Sequence, residues 1–247
     1  MKIVLEYLPA FVIFLIALAA LAISISALVI ALKKKNEIKI PDARNGGQFS
    51  ILNKMLKRCE TEKKGEIVFA GDSITDFYKL DKWFPEYTVC NRGICGETTR
   101  NLLERFDETI TVMNPKLIIL LIGINDLNRG KGSESAIMGT ESIIININKK
   151  LPQCKIILQS VYPVNKNKTD KFDGYNESAN SSEIIAMNYK LRELSQKYNC
   201  RFADIYSDLI DENGDFKKDL TIDGLHPNEN GYEIITKKLK PIINEML

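Results

Sequence analysis

The one histidine in this 247-residue chain, His226, limits the chemistry the chain can carry. Any step that needs an imidazole must use it, and a metal site built from several histidines is excluded. Asp223 stands three residues earlier, in the run Asp223-Gly224-Leu225-His226-Pro227. That spacing lets the carboxylate reach one ring nitrogen while the other nitrogen faces a third group. The carboxylate would fix the tautomer and steady the imidazolium. Ser73 is the serine placed to be that third group. It follows the apolar run Ile67-Val68-Phe69-Ala70 through Gly71-Asp72, so its hydroxyl can stand at the end of a strand. Gly93, in Asn91-Arg92-Gly93, can present a backbone N–H with no side chain in the way. Asn125, in Gly123-Ile124-Asn125-Asp126, can offer a side-chain amide to the same oxygen. A nucleophile, a base, a group that orients the base and donors for an oxyanion are the parts of an acyl-transfer site. Each segment alone has a plainer use, as a glycine that shapes a turn or an Asn-Asp that caps one. Asp72, Asp76 and Asp126 read as structural hydrogen-bond partners. Order, spacing and strand context together raise the four segments above their parts.

Such residues need a frame that brings them to one edge. The apolar runs predict strands at Ile67–Ala70, Tyr87–Asn91, Lys116–Ile122, Lys155–Val161 and Arg201–Ile205. Lys116–Ile122 is apolar almost throughout, as expected of a parallel strand covered on both faces. Helical periodicity predicts helices over Glu97–Met113, Ser135–Leu151, Glu183–Tyr198 and Asn230–Leu247. In the first of these, Leu102, Leu103, Phe106 and Ile110 share a face. Strands alternating with helices imply a parallel sheet with helices on both faces. In such sheets the site lies at the carboxyl ends of the strands, where the first three segments fall.

With these blocks in view, the chain resembles the SGNH hydrolase superfamily, also called GDSL-like lipases or acylhydrolases. The resemblance rests on Gly71-Asp72-Ser73, Asn91-Arg92-Gly93 with Gly96 close behind, Gly123-Ile124-Asn125-Asp126, and Asp223-Gly224-Leu225-His226-Pro227-Asn228. It runs from about Glu66 to the C-terminus, with the blocks in order. It implies a three-layer α/β/α sandwich of flavodoxin-like topology, with a five-stranded parallel sheet. It also implies Ser73 as nucleophile, Asp223 and His226 as its triad partners, and an oxyanion hole of Ser73 N–H, Gly93 N–H and Asn125. Neither a cofactor nor a metal is called for. Ile124 stands where Thr is frequent, and Ile94-Cys95 fills a variable stretch. Ser73 is not in a G-x-S-x-G elbow, which disfavours the larger α/β-hydrolase family. The second block is similar to the carbohydrate-esterase and platelet-activating-factor-acetylhydrolase-like branches, which implies short acyl groups, especially acetyl. The expected substrate is a small-molecule or glycan acyl ester. The other readings are a lysophospholipase or thioesterase acting on lipids, and a catalytically silent membrane-anchored binding protein. The polar stretch Pro163–Ser182 could border the acyl-acceptor side or be a solvated loop.

The remaining chain bounds the context. With 34 basic and 32 acidic residues the net charge is +2, which gives no electrostatic case for nucleic acid. Cys59, Cys90, Cys95, Cys154 and Cys200 are odd in number and form no CxxC pair, so free thiols are expected rather than a disulfide framework or a zinc site. Leu8 to Leu32 is a 25-residue stretch without a charge. As a helix it would span about 37 Å, more than the ~30 Å hydrocarbon core. It continues into Lys33-Lys34-Lys35 with no small-residue cleavage site, so a single-pass membrane anchor is expected rather than a signal peptide. The expected organisation is an anchor over 1–32, a linker with a short helix at Ser50–Cys59 over 33–60, and a hydrolase domain over 61–247. Two arguments about the side of the membrane oppose each other. Lys33, Lys34, Lys35, Lys39 and Arg44 favour a cytoplasmic domain by the positive-inside rule. Action on acylated envelope polymers, which the resemblance implies for anchored relatives, favours the outside.

Overall fold

The computed structural model describes residues 66–167 and 180–247. The chain divides into two compact units, Met1–Phe49 and Ser50–Leu247, and the described residues all belong to the second. The anchor expected at Leu8–Leu32, the linker, the helix expected at Ser50–Cys59 and the middle of Pro163–Ser182 lie outside the described residues. Among the described residues, no helix is long and apolar enough to cross a membrane.

Five strands form one parallel sheet: β1 (Ile67–Gly71), β2 (Val89–Gly93), β3 (Leu117–Leu121), β4 (Lys155–Gln159) and β5 (Arg201–Ala203). Their spatial order is β2-β1-β3-β4-β5, the flavodoxin-like order. In register, Gly71 at the end of β1 lies beside Gly93 of β2 and Leu121 of β3. The segments that follow these strands therefore emerge side by side.

The helices are α1 (Ser73–Asp76), α2 (Leu80–Trp83), α3 (Thr99–Glu104), α4 (Phe106–Thr109), α5 (Ile124–Asn128), α6 (Gly132–Lys150), α7 (Ser181–Lys197), α8 (Tyr206–Leu209) and α9 (Glu229–Met246). Alternation along the strands sorts the core into two layers. Val68, Ala70, Ile118, Leu120, Ile156 and Leu158 pack under helices α3, α4, α6 and α7. Ile67, Phe69, Leu117, Ile119, Leu121 and Ile157 pack under α9 and the short helices α1 and α2. The expected three layers are present. All five residues of β3 are buried, and each such aliphatic side chain removed from water stabilises the fold by roughly 1.5–3 kcal/mol.

Two expectations change. The helix expected over Glu97–Met113 is broken into α3, α4 and a 3₁₀ turn at Thr111–Met113, with the break at Arg105. Arg105 turns its side chain inward, and a buried guanidinium is a demand that helical periodicity does not encode. The turns after β1 and β3, expected as loops, wind into the single-turn helices α1 and α5. Each starts at a strand end, so each presents its first residues at the sheet edge.

Candidate active site

Ser73 is the first residue of α1, directly after β1. Asp72 caps that helix by accepting the Ile74 N–H at 3.0 Å. This turn is anchored from several sides. Tyr232 of α9 donates its hydroxyl to the Ile74 carbonyl at 2.8 Å. Asn91 of β2 donates its side-chain amide to the carbonyls of Thr75 at 2.7 Å and Tyr78 at 3.1 Å. Tyr78 in turn hydrogen-bonds Thr236 of α9 at 2.6 Å and stacks on the Tyr232 ring.

Asp223 and His226 lie on a loop that closes on itself. The Ile222 N–H and the Thr221 hydroxyl both donate to the His226 carbonyl, and the Gly224 N–H donates to Thr221 Oγ1. The Asn165 N–H, just beyond β4, donates to the Gly224 carbonyl at 2.8 Å and pins the loop to the sheet edge. Asp223 Oδ1 accepts the N–H groups of Leu225 and His226, at 3.0 and 2.8 Å. Its Oδ2 lies 2.7 Å from His226 Nδ1, and His226 Nε2 lies 2.9 Å from Ser73 Oγ. Ser73 and His226 are buried, at 4% and 5% exposure. Burial pushes the Asp223 carboxyl up, but the bonds from the His226 N–H, the His226 ring and the Leu225 N–H outweigh it and hold the group below its ordinary range. The structure thus joins the three residues in one hydrogen-bonded line. Such a line can take a proton from a serine hydroxyl as that oxygen attacks a carbonyl.

The expected oxyanion donors do not all stand as read. Asn125, in the first turn of α5, donates one amide hydrogen to the Glu97 carbonyl at 2.9 Å and keeps a second. Ser73 N–H is the first amide of α1, which has no helical acceptor. Gly93 is corrected: its N–H donates to Asn91 Oδ1 at 2.9 Å and is not free for an oxyanion. Its glycine has another cause, since a Cβ there would lie 2.2 Å from Asp76 N and 2.6 Å from Thr75 C. The glycine lets α1 press against β2. Gly96 takes a different form, on the loop between β2 and α3 with a φ of 76°, where a Cβ would meet nothing within 4 Å. Its carbonyl accepts Arg129 at 2.7 Å, and among the described residues its N–H has no protein acceptor.

Sequence reasoning left Asn91, Tyr232 and Arg105 without roles, although Asn91 lies inside a block already singled out. Asp126, read as a structural partner, accepts the Thr99 N–H and hydroxyl at 2.9 Å each and fixes the start of α3 against α5. Asp72 is wholly buried, and burial, with the charges of Glu97 and Asp126 adding to it and the Ile74 N–H opposing, pushes its carboxyl up to about 7. Among the described residues Cys90, Cys95, Cys154 and Cys200 form no disulfide, and Cys59 lies outside them.

The model of the GDSL-like lipase/acylhydrolase family matches residues 69–234, the span that holds the whole site. The chain belongs to this family, within the SGNH superfamily. The acylhydrolase is accordingly a hydrolase that acts on ester bonds. It is 28% identical over 200 residues to the platelet-activating factor acetylhydrolase IB subunit alpha2 of Rattus norvegicus, covering 79% of this chain and 82% of the relative. It is similar to a solved structure from Streptococcus pneumonia named for platelet activating factor, at 30% identity and a TM-score of 0.73, covering 88% of this chain and 99% of that one. The acetyl xylan esterase AlAXEase shares its fold at 21% identity and a TM-score of 0.60, covering 72% of this chain and 98% of that one.

Proposed function

We propose that this acylhydrolase is a serine esterase that removes short acyl groups, above all acetyl, from a carbohydrate or cell-envelope component. The observation that carries the reading is the line Asp223–His226–Ser73, with hydrogen bonds of 2.7 and 2.9 Å. Ser73 Oγ attacks the ester carbonyl while His226 Nε2 takes its proton. The carbonyl oxygen gathers negative charge in a tetrahedral intermediate, held by the Ser73 N–H, the second amide hydrogen of Asn125 and the Gly96 N–H. Gly96 takes the place expected of Gly93. The intermediate collapses to an acyl-serine as His226 returns the proton to the departing alcohol. Water, activated by the same imidazole, then releases the acid and restores the serine. The acyl size and acceptor rest on what the relatives' names say, an acetylhydrolase subunit and an acetyl xylan esterase.

A lipid ester is the second reading. Phe77, 47% exposed, lies against the His226 ring at 5.2 Å between centroids, and Ile222, 66% exposed, stands beside Asp223. Two exposed apolar side chains at the base and its loop would suit an apolar acceptor. A catalytically silent binding protein is disfavoured, because it has no need of an intact serine–imidazole–carboxylate line. We also propose that the apolar segment Leu8–Leu32 anchors the enzyme in a membrane.

The test is Ser73→Ala. Turnover of p-nitrophenyl acetate and covalent labelling by a fluorophosphonate are expected to vanish while the circular-dichroism spectrum stays unchanged. Labelling that persists at another serine would refute the assignment. Rates on acetyl against long-chain p-nitrophenyl esters separate the two substrate readings.

A further inference from the structure

The β2–α3 loop carries Gly96 and Glu97 side by side, and Glu97 is held twice. Its carbonyl accepts the Asn125 amide, and its carboxylate accepts Arg105 through Nε at 2.8 Å to both oxygens and through a terminal nitrogen at 2.6 Å. That terminal nitrogen also donates to the Arg92 carbonyl at 2.8 Å and to the Gly71 carbonyl at 3.5 Å. The other terminal nitrogen donates to Thr109 Oγ1 at 3.0 Å. One guanidinium therefore touches the last carbonyl before Asp72-Ser73, the carbonyl before Gly93 and the carboxylate after Gly96. The pair is out of water, with side chains 4% and 7% exposed.

A buried ion pair of this kind is weak evidence for stability, because desolvation offsets much of the attraction. What the fork-shaped guanidinium supplies is fixed geometry, with several acceptors held in one plane. Two of the segments it joins, those of Ser73 and Gly96, carry amides that face the developing oxyanion in the mechanism above.

We propose that Arg105 and Glu97 are positioning residues that set the spacing of the oxyanion donors, Ser73 N–H at the start of α1, Gly96 N–H from the β2–α3 loop and the Asn125 amide from α5. The inference rests on the esterase reading of the site. Arg105 reaches the first donor through the Gly71 carbonyl. Glu97 reaches the other two, since Gly96 precedes it and Asn125 bonds its carbonyl. A shift of about 1 Å in such donors can cost on the order of 10²-fold in rate, whereas substrate binding elsewhere is untouched. The signature is therefore a loss in kcat with KM retained.

The experiment uses the full chain, its Glu97→Gln and Arg105→Lys variants, and each combined with Asn125→Ala. Exhaustive fluorophosphonate labelling counts the folded sites, and kcat is expressed per labelled site. Glu97→Gln and Arg105→Lys are expected to lower kcat roughly 10- to 100-fold with KM within about threefold. In the Asn125→Ala background most of that loss is expected to disappear, because a donor already removed cannot be misplaced. A merely structural pair would lower the labelled fraction or the melting temperature and leave kcat per site within twofold, and that result overturns the proposal. Full additivity with Asn125→Ala overturns it as well. If neither variant folds, Thr109→Val removes one Arg105 partner and is expected to lose several-fold in kcat per site, with no loss overturning the proposal. A wild-type protein that neither labels at Ser73 nor turns over esters refutes the esterase reading itself, an outcome distinct from an active enzyme whose variants keep their rate.

Discussion

A carboxyl one residue before Ser73, closed off from water, makes the fold sensitive to pH. Asp72 in the folded chain is pushed up to about 7 by burial, from the 3.8 of an ordinary aspartate carboxyl. The folded state therefore holds a proton that the unfolded chain gives up, and stability falls as pH rises between about 4 and 7. That displacement corresponds to roughly 4 kcal/mol as a ceiling. Asp72→Asn keeps an acceptor for the Ile74 N–H and carries no charge. Its melting temperature relative to the native protein is expected to rise steadily from pH 4 to pH 7 and then level off. A difference that does not change with pH would show that Asp72 titrates as an ordinary carboxylate. At the same scale, Asn125→Ala is expected to lower kcat by about 10²–10³ with little change in KM, the cost of one lost oxyanion donor. Ser73, Asp223 and His226 were legible because their signals are local, a strand-ending turn and a three-residue spacing. Gly93 was misread because a glycine serves equally to free an amide or to let backbones touch. Only the 2.2 Å approach to Asp76 N tells the two apart.

Among the elements, α1 depends on its neighbours, since a single turn cannot stabilise itself. It is held by Tyr232 of α9 and by Asn91 of β2. Tyr232→Phe leaves the Ile74 carbonyl without its buried donor, at a cost of about 1–3 kcal/mol. The expected outcome is a melting temperature lower by a few degrees together with a several-fold drop in kcat, read by thermal unfolding and steady-state rates. An unchanged kcat would mean that α1 keeps Ser73 in place without α9. Gly93→Ala is expected to destabilise by a similar roughly 1–3 kcal/mol, read by thermal unfolding, because the new methyl meets backbone. The strands and longer helices were readable from periodicity, as was their alternation. The break at Arg105 was not, because an arginine in a helical pattern reads as solvent-facing. Nothing local announces that its partners are a glutamate eight residues back and two strand-end carbonyls.

At the scale of the molecule, the alternation of elements implied a parallel sheet, and its order β2-β1-β3-β4-β5 was implied only by the resemblance. The anchor is a separate matter, resting on composition at Leu8–Leu32. The full chain is expected to sediment with membranes after cell lysis and to resist extraction by high salt, while residues 36–247 stay in the supernatant and keep esterase activity. A full chain released by salt alone would rule out the anchor. Protease added to intact cells then reports the side on which the domain lies, with protection expected if the flanking lysines decide it. The bond between Ser73 and His226 spans 153 residues of sequence. His226, the proposed base, sits on the loop before the last helix of the described residues. On the proposed mechanism, activity thus waits until that loop has been made. A ribosome can release a shortened product carrying every strand of the sheet, and that product has a serine with no base beside it. Non-local closure of this kind is slow to form. It follows that hydrolysis lags behind the burial of the sheet during refolding, and that chains broken off before Asp223 are inert towards esters.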